Sequence, residues 1–129
     1  MREESQKSRI FINPRGFIDQ VYFDTQTAES VLEAIKQLEH CAKKMQAQKK
    51  PILIFIDVSQ LTKIDLSNKM RHVRMLAMDT MRKIKFKKAA VCAPLPIQIL
   101  VNTMALVAGK RNRVKVFETR ALAIKWLLG

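Results

Sequence analysis

The chain is poor in the residues that staple, kink or decorate small proteins, with two cysteines, three glycines and four prolines among 129 residues. Cys41 and Cys92 are too few and too far apart for a zinc site of the CxxC kind, and they are expected as buried thiols in a reducing compartment. There is no Gly-rich phosphate loop, and Gly109-Lys110 lacks the Walker spacing. Aromatic residues make up 6% of the chain. Phe55, Phe117 and Trp126 sit in apolar runs, so the stacking platform of single-strand binders is missing. No apolar run approaches the roughly 18 residues of a membrane span, and MREESQKSR is charged where a signal peptide has its apolar core. The expectation is a cytoplasmic protein that does not span a membrane.

What is present is ordinary globular material, 48% apolar and 27% charged, enough to build a core without metal or disulfide. Residues 1–8 read as a flexible tail and residues 9–129 as a single domain. The net charge of +13 is the strongest compositional signal. It is uneven: residues 1–50 carry nine basic and seven acidic side chains, residues 51–129 fifteen and four. Such a field attracts polyanions or acidic protein partners without specifying either.

Along the chain, RIFIN (9–13) and FIDQVYF (17–23) flank Pro14-Arg15-Gly16 as a hairpin. Thr25 or Thr27 can cap a helix in which Val31, Ile35, Leu38, Ala42 and Met45 recur at helical spacing. ILIFIDV (52–58) is apolar at consecutive positions, as a strand covered on both faces is. A second helix is predicted over 66–84, a buried strand over 87–94, a third helix over 97–109 closed by Gly109, a last strand over 113–119, and a short helix capped by Thr119. The order ββαβαβαβα gives an α/β fold, a mixed sheet of about five strands with helices packed on it and right-handed crossovers.

ILIFIDVSQLTKIDLSN resembles the central signature of STAS domains, an apolar strand ending in Asp, a short loop, and an Asp-Ser pair that opens a helix. The stretch from AAVCAP through VKVFET to Ala123, Trp126 and Leu127 resembles the SpoIIAA-like (STAS/SEC14-like) group. The resemblance implies a compact, non-enzymatic domain that binds a partner protein or small ligand, switched in some members by serine phosphorylation. Asp57, Ser59, Thr62, Asp65, Ser67 and Asn68 become the candidate ligand or switch loop. In the phosphorylated members the hydroxyl directly follows the Asp, whereas here Leu66 intervenes before Ser67, and Asn68 replaces the usual Gly. One position on a helix turns a side chain by about 100°, so Ser67 does not inherit the switch role by register.

The residues also admit plainer readings. Asp65 at a helix start can cap the first turn, and Asp57 can bond nearby backbone as a turn residue. His40 and His72 fall on or near polar helix faces. No catalytic residue, metal site or cofactor is expected, because no His lies near the carboxylates and neither GxSxG nor HExxH occurs. On the second helix Arg71, Met75, Met78 and Arg82 cluster on the side away from Leu66, a composition suited to a protein interface. On the third helix Ile99 and Leu106 lie opposite the core positions. They point to a second copy, a lipid or a protein surface. The competing reading is a basic nucleic-acid-associated protein that grips phosphates through its C-terminal half, with Arg74, Arg82, Lys83, Lys85, Lys87, Lys88, Lys110, Arg111, Arg113 and Lys115 as a rim.

Overall fold

A computed structural model describes residues 8–24, 26–61, 67–107, 109 and 111–129. Strands β1 (Ser8–Asn13), β2 (Phe17–Asp24), β3 (Leu53–Leu61), β4 (Lys88–Cys92) and β5 (Val114–Phe117) form one sheet in the order β1-β2-β3-β4-β5. β1 and β2 are antiparallel and the other pairings are parallel. Helices α1 (Ala28–Ala47), α2 (Asn68–Lys83), α3 (Leu95–Val107) and α4 (Arg120–Leu128) complete the mixed α/β fold.

The hairpin forms where Gly16, at a φ of +99°, takes a conformation that side-chain-bearing residues rarely adopt. Its N–H donates to the Asn13 carbonyl at 2.9 Å. Alternation then sorts β2. Ile18 joins Ile54, Ala89 and the α1 residues Leu38, Ala42 and Met45 on one face. Phe17 joins Phe55, Ala90, Cys92 and the α4 residues Ala123, Ile124 and Leu127 on the other. β3 is therefore apolar on both sides because both sides are covered. The small Ala90 and Ala123, both fully buried, sit together in the second cluster. Phe17 and Phe55 meet edge to face at 6.4 Å, and burying each ring contributes about 1.5–3 kcal/mol.

The helix caps are partly those expected. Thr27 and Ser30 form a reciprocal capping box at α1, and Thr119 accepts from the Leu122 N–H at α4. Most boundaries shift by one to three residues, β1 taking in Ser8 from the expected tail, β4 ending at Cys92 and β5 spanning Val114–Phe117, and three of the shifts have a visible cause. β3 continues to Leu61, because Gln60 and Leu61 pair with Phe23 and Asp24 beyond a register shift in which β3 carries one extra residue. α3 begins at Leu95 rather than 97, since the Pro94 carbonyl accepts from both Ile97 and Gln98 and Pro96 is tolerated in a first turn, where its missing N–H has no helical partner. α2 is capped by Ser67, whose hydroxyl accepts from the Met70 N–H at 3.2 Å. The cap expected of Asp65 thus belongs to Ser67, and Asp65 itself, with Thr62 and Leu66, lies outside the described residues.

Candidate functional site

Asp57 is the last β3 residue to pair with β4, opposite Cys92. It stands at the carboxyl end of the parallel ladder, where open α/β sheets bind ligands. It is buried, and its Oδ1 accepts from the Ser59 N–H at 2.9 Å and from the Ser59 hydroxyl at 2.6 Å. That is the i to i+2 turn bonding of an Asx residue. Of the loop residues singled out in the sequence, the structure joins these two. Ser67 and Asn68 stand at the exposed start of α2, which Lys69 ties to α1 through Glu29 at 3.0 Å.

A second carboxylate shares the α4 side of the sheet. Asp19 is 1% exposed and accepts both arms of the Arg120 guanidinium, Nη1 to Oδ1 at 3.2 Å and Nη2 to Oδ2 at 2.6 Å. Asn13 Nδ2 donates to the same Oδ2 at 3.2 Å. Arg120 also lies over the Phe55 ring at 4.8 Å, and its side chain remains 41% exposed. The hydrogen bond to Asp19 pushes the Arg120 pKa above its ordinary value, burial opposes this, and the charges of Asp19 and Asp57 add to the rise. Arg120 therefore pairs with Asp19 while Asp57 adds only its charge, and it ties the start of α4 to β2.

Cys92 borders this cluster, its thiol directed at the Glu118 carbonyl at 3.6 Å. Burial first, then the Asp57 charge, pushes its pKa up, against smaller downward effects of Ser59 and Arg120. Cys41 is likewise buried and raised by burial. Both are protonated thiols at neutral pH, which is the inert form. Arg120 cannot act as a base at neutral pH. Among the described residues no three His, Cys, Asp or Glu side chains gather as metal ligands would. The cluster is built from charge pairing and hydrogen bonding.

Asp19 and Arg120 were missed in the sequence reading. A signal for Asp19 existed, because Phe17, Asp19, Val21 and Phe23 alternate onto one side of β2 and an acid among apolar residues marks an internal ion pair. Arg120 carries no such mark, since its partner lies 101 positions away.

The outer face of α2 keeps part of its expected composition. Arg71 is exposed and Met75 is 54% exposed. Met78, expected outward, is half-buried, and the exposed apolar neighbour of Met75 is Leu76 at 51%. The core arc of α2 centres on Met70 and Val73, which pack with Ala28 of α1. Leu76 falls just outside that arc. Arg82 is exposed and lies 3.6 Å from Asp79. On α3, Ile99 is 71% exposed beside exposed Leu95, while the Leu106 side chain is outside the described residues. His40 and His72 are exposed. No helix among the described residues is long and apolar enough to cross a membrane.

No family model matches the chain. No curated protein matches it either. A solved structure does. The uncharacterised protein of the DUF3478 family from Shewanella loihica PV-4, described as having a SpoIIAA-like fold, superposes with a TM-score of 0.69 over 98% of both chains at 19% identity. The protein adopts the SpoIIAA-like fold, in agreement with the resemblance seen in ILIFIDVSQLTKIDLSN and the C-terminal segment.

Proposed function

We propose that the protein is a non-catalytic, STAS-like binding module that regulates a protein partner through the outer face of α2. The observation that carries this reading is the pair Met75 and Leu76, each more than half exposed, framed by exposed Arg71 and Arg82. Methionine repacks readily against varied surfaces, and Arg is enriched in interfaces. Asp19 with Arg120 and Asp57 with Ser59 support a structural rather than a catalytic role, because each carboxylate is answered by its own partner. The α2 face lies on the helix that Ser67 opens. A soluble location in the cytoplasm fits the buried thiols.

The test replaces Met75 and Leu76 together with Glu and compares partner capture from native extract with the wild type. The reading predicts a thermal midpoint within a few degrees of the wild type and loss of the captured protein. Capture that survives the double substitution overturns it.

A further inference from the structure

α1 and α2 run side by side in the same direction, their starts joined by Lys69 and Glu29 and their ends bordering a common groove of about 380 Å³. The groove lies at the amino-terminal end of β3, the opposite end from Asp57. Its apolar floor is made by Ile52, which is buried, and Ile84, which is half-buried. The floor is pinned where the Lys87 N–H donates to the Ile52 carbonyl at 2.8 Å.

Four lysines line it, Lys43 and Lys50 from the α1 side and Lys83 and Lys85 from the α2 side, against one acid, Glu39. Lysine near a helix carboxyl terminus complements the macrodipole, and Lys83 is further paired with Asp79 at 3.1 Å. Lys43, Lys50 and Lys85 form no ion pair among the described residues. The turn that delivers Lys50 is itself unusual. Lys49 adopts a φ of +58° at a position where helices normally place glycine. The Lys49 and Lys50 N–H groups donate back to Gln46 and Met45 at 2.9 and 3.1 Å. A lysine in this left-handed conformation is strained, because its Cβ crowds the following carbonyl oxygen. The chain accepts that strain while placing two adjacent cations at the helix end.

We propose that this groove binds a phosphate-bearing ligand with an apolar portion. Several lysines around one depression call for a multiply charged anion, and a phosphate monoester carries up to about two negative charges at neutral pH. The apolar floor suits the ligand's body, and the volume falls within the range of small-molecule sites. A soluble organic phosphate and a phospholipid headgroup present the same chemistry.

The experiment titrates the full-length protein with inorganic tripolyphosphate at about 0.15 M salt, where diffuse surface attraction is largely screened, and follows backbone amide shifts. A second arm measures co-sedimentation with phosphatidylcholine vesicles with and without phosphatidic acid. The double variant K50A/K85A removes two groove cations, and K36A/K125A removes two exposed lysines elsewhere as the control. Saturable tripolyphosphate binding with shifts at Lys50 and Lys85, weakened about tenfold in K50A/K85A and less than about twofold in the control, supports the site with a soluble ligand. Vesicle binding that needs phosphatidic acid and shows the same variant pattern supports the headgroup source. Absence of saturable binding in both arms, or equal loss in both variants, overturns the proposal. Both variants alter only exposed side chains, and a thermal midpoint for each confirms folding before the comparison is made.

Discussion

A carboxylate on the apolar side of a strand persists only if something answers its charge. For Asp19 the answer is bidentate Arg120, with Asn13 taking a further lone pair. The two partners are unequally placed, one fully buried and the other still reaching water. Removing the exposed partner should therefore be the more revealing change. Arg120→Leu leaves the Asp19 carboxylate buried with Asn13 alone and should cost about 2–4 kcal/mol in denaturant unfolding. The double variant Asp19→Leu/Arg120→Leu removes both charges and should cost clearly less than the sum of the singles. Additive losses would show that the pair does not act as a unit.

Helix ends show which local features could be read from residues and which could not. Thr119 is a cap that the sequence announces, and at α1 the sequence offers Thr25 or Thr27, of which Thr27 is the cap. At α2 the sequence pointed to Asp65, whereas Ser67, two positions on, is the cap, and local preference alone does not separate an acid from a nearby hydroxyl. Ser67→Ala should lower stability by about 1 kcal/mol through the lost bond to the Met70 N–H. At the other end of α1, Lys49→Gly should raise stability by roughly 0.5–1 kcal/mol by removing left-handed strain. Opposite signs in one series of urea melts would confirm both assignments, and a neutral or destabilising Lys49→Gly would contradict the second. The order of elements along the chain and the central place of β3 were legible because β3 is apolar at successive positions and the helices repeat every three to four residues. The length of β3 was not, since its last residues are held by β2 across a bulge. Leu76 was missed for a related reason: which flank of an amphipathic arc is covered depends on the neighbouring helix, here α1.

The whole molecule combines a SpoIIAA-like sheet, covered by α1 on one face and α4 on the other, with a charge of +13 concentrated in its second half. A charge of that size would speed encounter with any acidic partner in a salt-dependent way, while the shape of a contact is set by exposed apolar groups. Two surfaces emerge at separate places, the outer face of α2 around Met75 and Leu76 and the lysine-lined groove where α1 and α2 end. Neither uses Asp19 and Arg120, whose bonds tie α4 to β2, or Asp57, which bonds Ser59 within β3. A binding module should then deliver its partner to one of these surfaces and leave the rest of the molecule untouched. The decisive measurement places a photo-crosslinking side chain at position 75, and in a control at position 36, on the same α1–α2 layer. In native extract, position 75 is expected to form one discrete intermolecular crosslink that position 36 does not. A crosslink pattern identical at both positions, or one absent from position 75, would contradict the assignment of the α2 face as the interface.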